Sequence, residues 1–146
     1  MDVFTKKKRS EVMSRIRSRD TKLEILVRSR LFRDGFRFRV NSGLLPGKPD
    51  IVLPKYRTVV FINGCFWHYH ASCKLAVMPK TRTSFWRKKL ERNRLNDRAK
   101  QRRLRQIGWK PIVLWECRLE KDLEREIDKV EKLLKAPDGH KKNRAK

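Results

Sequence analysis

The sequence lacks the features of several large classes of protein. No apolar run reaches the ~18 residues of a membrane span, and residues 1–30 are charged throughout instead of carrying the apolar core of a signal peptide. Only three cysteines occur in 146 residues, and an odd count of this kind does not make a disulfide framework. We therefore expect neither a membrane protein nor a secreted one, and we place the protein in the cytoplasm.

Acidic residues are also scarce. Asp and Glu total 16 against 40 Lys and Arg, which gives a formal charge of +24, and apolar residues make up 38% of the chain. A charge of this size needs a counter-charge, and nucleic acid is the commonest polyanion in a cell. Charge alone does not separate an enzyme from a protein that only coats RNA. Four Trp and seven Phe nevertheless indicate a folded core.

The length suits one domain with basic ends. We expect a flexible basic arm at 1–9, a single folded domain at 10–135 and a disordered basic tail at 136–146. The spacing of apolar residues and the positions of capping and turn residues predict helices at 10–20, 21–35, 83–108 and 119–134. The same signals predict strands at 36–40, 50–54, 58–62 and 110–117.

The order of these elements predicts an α/β fold. Only three residues separate 50–54 from 58–62, so these strands should form a hairpin. A strand–helix–strand unit favours a right-handed parallel pair, so 110–117 should lie parallel to 58–62. The predicted architecture is a small mixed sheet flanked by helices.

Cysteine and histidine cluster within residues 65–73. Cys65, His70 and Cys73 have the spacing of metal ligands, and Cys117 can supply a fourth position at the end of a neighbouring strand. Zinc prefers four nitrogen or sulfur ligands in a tetrahedron, so the sequence predicts a zinc site. The alternative is three buried thiols that pack as small apolar groups. Spacing alone leaves open whether His68 or His70 is the ligand, and the other histidine is free for chemistry.

Three carboxylates and a histidine form a second candidate site. Each has a simpler explanation: Asp50 as a turn residue, Glu24 as part of a capping box with Thr21, Asp97 as a solvated charge, and His68 as a zinc ligand or core histidine. Together they match the needs of phosphodiester cleavage. Carboxylates hold hard cations against the scissile phosphate, and an imidazole takes a proton from water.

Two polar residues interrupt the apolar stripe of the long predicted helix. Trp86, Leu90, Asn93 and Asp97 fall on one line at helical spacing. Buried polar residues are uncommon in a core. We therefore expect Asn93 and Asp97 to face a functional site.

Aromatic residues stand beside basic ones at two places. Phe66 and Trp67 lie inside the Cys/His cluster, and Phe85 and Trp86 open the long helix among Arg82, Arg87, Lys88 and Lys89. Such residues can stack on bases or wedge between them. The alternative is packing in the core. Met13, in the basic N-terminal segment, is either a second wedge or a packing residue.

Six segments resemble the very short patch repair endonucleases, bacterial enzymes that nick DNA beside a thymine–guanine mismatch. They follow in order over about residues 8–120: SEVMSRIRSRDTKLE (10–24), LPGKPDIVLP (45–54), VFINGCFWHYHASC (60–73), TRTSFW (81–86), NRLND (93–97) and GWKPIVLWEC (108–117). The GCFWH stretch with its downstream cysteine is highly specific. The resemblance implies a restriction-endonuclease-like core with a structural zinc.

The resemblance also implies which residues of the Cys/His cluster bind zinc and which one takes part in catalysis. It puts zinc on Cys65, His70, Cys73 and Cys117, which leaves His68 as the general base.

The resemblance implies a magnesium site as well. Asp50 becomes the direct ligand with the backbone carbonyl of Ile62, and Glu24 and Asp97 lie around the metal-bound waters. Where the best-known members have Thr-His before GCFWH, this chain has Ile62 and Asn63. A backbone carbonyl tolerates the isoleucine, and Asn63 can accept and donate hydrogen bonds at the catalytic site.

For DNA, the resemblance implies a wedge that enters from the major groove and consists of Phe66, Trp67 and Trp86. Met13 reaches from the minor groove, and Lys89 contacts the mismatch. We add Asn93 to this DNA-binding set because it shares a helix line with Trp86.

These observations lead to one principal hypothesis. We expect a monomeric, magnesium-dependent endonuclease that nicks double-stranded DNA beside a thymine–guanine mismatch, with other mismatch-repair proteins as candidate partners. One alternative keeps the chemistry but changes the target to another mismatch or DNA distortion. The other is a zinc-stabilised nucleic-acid-binding module without catalysis, which has no reason to bring the carboxylates and His68 together.

Overall fold

The computed structural model describes residues 21–40 and 43–136. Met13, the helix expected at 10–20, the basic arm and nearly all of the tail lie outside the described residues. The described elements, in chain order, are α1 (Lys22–Arg33), β1 (Arg39–Val40), β2 (Ile51–Leu53), β3 (Thr58–Asn63), α2 (Thr83–Gln106), β4 (Lys110–Trp115), α3 (Glu116–Lys121) and α4 (Leu123–Lys135). Among these helices, none is long and apolar enough to cross a membrane.

The four strands form one mixed sheet in the order β1-β2-β3-β4. β1 pairs antiparallel with β2, and β2 pairs antiparallel with β3. β4 pairs parallel with β3 through the α2 crossover, with Asn63 opposite Trp115 at the end of the ladder. The predicted hairpin, the parallel pair and the α/β fold class are thus confirmed.

Helices cover both faces of this sheet because the strands alternate their side chains between two cores. Ile51 and Leu53 join the larger core, together with apolar residues of α1, α3 and α4. Val52 and Val59 face the opposite side and pack with Leu104 of α2. Strands buried on both faces explain the nearly continuous apolar runs in the sequence.

α1 covers Lys22–Arg33, within the predicted segment 21–35. Thr21 caps its first turn, since its Oγ1 accepts a hydrogen bond from the N–H of Glu24 at 3.2 Å. Val27 and Leu31 are fully buried and anchor the helix on the sheet. Gly35, with a φ of +96°, turns the chain beyond the last turn.

The first predicted strand is shorter than expected. The prediction covered 36–40, and only Arg39–Val40 pairs with β2. The N–H of Phe36 donates to the carbonyl of Leu31 at 2.9 Å, so this residue completes the end of α1 and not a ladder.

Two boundaries near the C-terminus also differ from the prediction. The strand expected to reach Cys117 ends at Trp115, because the chain turns into α3 and the Cys117 N–H donates to the sulfur of Cys65. The final helix is divided in two at Asp122, whose carboxylate accepts from the N–H of Arg125 and caps α4.

Candidate active site and metal centre

A cleft of about 1340 Å³ opens where β3 and β4 end. Its walls come from α1, the loop before β2, β3, the loop after β3, α2 and the start of α3. Every residue proposed for catalysis lines it: Glu24, Asp50, Ile62, Asn63, His68 and Asp97. The fold thus gathers residues that are as much as 73 positions apart (97 − 24) into one site.

Asp50 lies directly before β2, next to Ile62 of β3 and Glu24 of α1. The backbone N–H of Ile62 donates to Asp50 Oδ2 at 2.6 Å. Burial, with a smaller contribution from the neighbouring Glu24 carboxyl, raises the pKa of Asp50 to about 7 against the opposing effect of this hydrogen bond. Two adjacent carboxyl groups of this kind offer the hard oxygen donors that a divalent cation prefers. Asp50 is therefore more than a turn residue.

Glu24 has two roles that use different atoms. Its backbone N–H completes the Thr21 cap, as the capping-box explanation predicts. Its side chain is only 3% exposed, lines the cleft and accepts a hydrogen bond from Arg28 at 3.2 Å. Glu24 therefore combines a backbone contact in the cap with a buried carboxylate that lines the cleft and contacts Arg28.

His68 and Asp97 form a pair across the cleft. His68 Nδ1 lies 2.5 Å from Asp97 Oδ2, joining the loop after β3 to α2. Because a carboxylate can only accept, the proton of this hydrogen bond belongs to Nδ1. In a neutral imidazole Nε2 is then the acceptor, which is the form in which a histidine can act as a base.

Asn63 and Asn93 support the same region. Asn63, the last residue of β3, is 5% exposed and lines the cleft. Asn93 lies one turn before Asp97 on α2, and its side-chain amide donates to the carbonyl of Trp67 at 3.0 Å. This contact holds the loop after β3 against α2.

The candidate metal centre brings together Cys65, His70, Cys73 and Cys117. One ligand atom from each lies within 4.8 Å of all the others. Tetrahedral zinc with Zn–S bonds of about 2.3 Å separates its ligand atoms by roughly 3.5–3.8 Å, so small side-chain movements suffice to close the site around an ion. His68 lies instead in the cleft beside Asp97.

The protonation behaviour of these groups suits a metal site. Burial raises the pKa of the Cys65 thiol to about 12. Such a thiol stays neutral unless a cation stabilises the thiolate. Burial, with the nearby Arg118, lowers the pKa of His70, which keeps its imidazole neutral and available as a ligand. The His70 ring also stacks on Trp115, with ring centres 3.9 Å apart.

Aromatic side chains form a continuous cluster beside the cleft. The ring centres of Phe66, Trp67 and Trp86 lie 5.1 to 6.0 Å from one another. Phe85 extends the cluster from α2 and is 43% exposed. The ammonium group of Lys89 lies 5.5 Å from the Trp86 ring centre and 5.8 Å from that of Trp67. Rings at the surface with an adjacent cation suit contact with bases and phosphates.

Comparison with known proteins identifies the family. The family model described as DNA mismatch endonuclease Vsr matches residues 1–75. A type II nicking enzyme of Neisseria meningitidis, V.NmeAIP, is 52% identical over 118 residues, which cover 81% of this chain and 84% of that protein. The chain belongs to the Vsr family. Its resemblance to the very short patch repair endonucleases is thereby confirmed.

Other relatives agree with the Vsr assignment. The DNA mismatch endonuclease Vsr of Escherichia coli is 45% identical over 118 residues, covering 81% of this chain and 75% of that protein. The nicking enzyme V.XorIIP of Xanthomonas oryzae is 42% identical over the same length, covering 81% and 86%. A Vsr-family chain is expected to have a restriction-endonuclease-like core, and the mixed sheet flanked by helices agrees with it.

Sequence reasoning missed four polar residues that line the cleft of this Vsr-family protein: Lys48, Lys100, Gln101 and Glu116. Lys100 and Gln101 follow Asp97 by three and four positions, so helical spacing was the available signal. Glu116 gave no such signal, because it lies beside Cys117 in what reads as the end of a strand.

Proposed function

We propose that this Vsr-family protein nicks one strand of DNA beside a thymine–guanine mismatch, by magnesium-assisted attack of water on the phosphodiester. The main support for this proposal is that one cleft contains both the Asp50 and Glu24 carboxyl groups and the hydrogen-bonded His68–Asp97 pair. A protein that only binds nucleic acid has no need of this arrangement. The names of the relatives, a nicking enzyme and a mismatch endonuclease, support the reaction and substrate.

Magnesium would be held by Asp50 and the backbone carbonyl of Ile62. Glu24 and Asp97 would accept hydrogen bonds from its water ligands. When bound, the cation neutralises charge on the scissile phosphate and makes water more acidic. The donor set fits, since these groups are hard oxygen ligands and the ionised carboxylates repel one another without a cation.

His68 acts as the general base. Because its Nδ1–H donates to Asp97, its Nε2 can take the proton from the attacking water. The Asp97 carboxylate then stabilises the imidazolium that forms. A base placed in this way contributes about 10²–10⁴-fold to a rate. Asn63, buried at the end of β3, supplies an outer hydrogen-bonding group to the same site.

The Cys–His centre would hold zinc in a structural role. Four protein ligands fill a tetrahedron and leave no position for substrate. The ligands come from the loop after β3 and from α3, so the ion would join two elements that form the cleft wall.

The aromatic cluster is the proposed wedge, with Phe66, Trp67 and Trp86 entering between base pairs. Opening a mismatched step costs less than opening a fully paired one, and this difference favours the mismatch. Lys89 lies above two of these rings and is proposed to contact the mismatch. Asn93 supports this wedge, because its side-chain amide donates a hydrogen bond to the carbonyl of Trp67. Met13 keeps its proposed minor-groove role and lies outside the described residues.

A nicking assay with labelled duplexes tests this function. Duplexes with each mismatch, and a fully paired one, are incubated with and without magnesium. We expect one strand of the thymine–guanine duplex to be cut only when magnesium is present. Asp50→Ala should bind this duplex at least as well and leave it intact. Preferred cutting at another mismatch would change the assigned target, and binding without cutting of any duplex would reject catalysis.

A further inference from the structure

Glu116 is a cleft residue to which the proposed chemistry gives no role. It is the first residue of α3, directly after β4, and it lines the cleft together with Asp50 and Asp97. Its Oε1 accepts a hydrogen bond from the backbone N–H of Cys65 at 3.1 Å. The contact joins residues that are 51 positions apart and lie on opposite sides of the β3–β4 seam.

The contact continues the sheet at the point where its backbone ladder ends. β3 and β4 pair as far as Asn63 and Trp115, after which β4 turns into α3. Cys65 is fully buried, so its N–H needs a partner that the helix backbone cannot supply. The carboxylate of Glu116 supplies it, and the N–H of Cys117 donates in the reverse direction to Cys65 Sγ at 3.4 Å.

This anchored segment is the base of the loop that carries His68. The N–H of His68 donates to the carbonyl of Gly64 at 3.1 Å, and the N–H of His70 donates to the carbonyl of Cys65 at 2.9 Å. The backbone around His68 is therefore held by Gly64 and Cys65, and Cys65 is the residue that Glu116 contacts. A Cβ built on Gly64 would lie 3.9 Å from Glu116 Oε1 and 3.7 Å from the Trp67 indole.

We propose that Glu116 is a positioning residue that fixes the 64–70 loop so that His68 stays aligned with Asp97. The proposal rests on the proposed function, in which His68 is the base. Glu116 acts as a hydrogen-bond acceptor for the Cys65 N–H, so its oxygen is required and its charge is not. A cation ligand, in contrast, would need the charged carboxylate, because an amide is a weaker ligand for magnesium.

Two substitutions separate these roles. Glu116→Gln keeps an oxygen that can accept from Cys65, whereas Glu116→Ala removes it. Glu120→Ala is the matched control, because Glu120 lies one turn further along α3 and is exposed. Each variant is compared with the unchanged full chain for kcat and KM on the mismatched duplex, with magnesium.

We expect Glu116→Ala to lower kcat at least tenfold, part of the about 10²–10⁴-fold that a general base contributes, with KM for DNA unchanged. Glu116→Gln should stay within about threefold of the unchanged chain, as should Glu120→Ala. Amide hydrogen exchange should become faster at Cys65 in Glu116→Ala only. Zinc content, measured by native mass spectrometry, should stay at one ion in every variant.

Several results would overturn the proposal. Equal kcat in Glu116→Ala and the unchanged chain would show that the contact does not position His68. Equal losses in both Glu116 variants would assign the role to charge, and loss of zinc from Glu116→Ala would assign it to the metal centre. If the unchanged chain itself cuts no duplex, the proposed function fails; the exchange rate at the Cys65 amide then still tests the anchor by itself.

Discussion

The raised pKa of Asp50 predicts how pH affects the stability of the magnesium-free protein. Burial and the Glu24 carboxyl make the folded protein hold a proton on Asp50 up to about pH 7, whereas the unfolded chain releases it near pH 3.8. The stabilisation is therefore complete below the unfolded pKa and is lost as pH rises through the folded pKa. The free energy of unfolding should fall between pH 4 and 7 and level off above it.

The size of this effect follows from the two pKa values. A rise from 3.8 to about 7 corresponds to up to about 4 kcal/mol, at ~1.4 kcal/mol per pKa unit. Glu131 adds to the fall in the same range, because burial and the adjacent Asp34 raise its pKa to about 7 as well. Asp50→Asn isolates the first contribution, since the amide oxygen can still accept from the Ile62 N–H and carries no charge.

Urea unfolding at several pH values between 4.5 and 8 provides the measurement. The buffer is free of divalent cations but contains no chelator, so that an ion bound at the Cys–His centre would be retained. We expect the midpoint of Asp50→Asn to change much less with pH than that of the unchanged chain, and Glu131→Gln to remove a separate part of the change. Magnesium should reduce the pH dependence of the unchanged chain and leave Asp50→Asn unaffected. Identical pH profiles for Asp50→Asn and the unchanged chain would refute the reasoning.

Further predictions concern the metal centre, the charge and the aromatic cluster. Cys73→Ser should leave a three-ligand site with weaker zinc binding and a less stable loop, which native mass spectrometry and thermal unfolding can measure; a natural chain without zinc would reject the site. With a formal charge of +24, affinity for DNA should fall steeply as salt rises, and a flat binding curve from low to moderate salt would count against DNA as the partner. Trp67→Ala, and Trp86→Ala to a lesser degree, should lower the ratio of nicking rates on mismatched and paired duplexes while zinc content stays intact. An unchanged ratio in both would make these rings packing residues.

The sequence by itself determined the elements whose signals are local. Continuous apolar runs indicated strands buried on both faces, and Thr21 and Gly35 marked the limits of α1. The spacing of Cys65, His70 and Cys73 within nine residues indicated a candidate metal centre, because three of its four candidate ligands are close in the chain. The excess of basic residues indicated a polyanionic partner before any fold was known.

Only the tertiary structure decided which partner each of the two nearby histidines contacts. His68 and His70 have almost the same sequence environment, and they separate because Asp97 of α2 meets one and the thiol of Cys117 in α3 meets the other. Contacts between residues that are far apart in the chain produce no repeating pattern in the sequence, so the sequence does not predict them. The same reason hid the contact of Glu116 with Cys65, which forms only where the β3–β4 ladder ends and the chain turns into a helix.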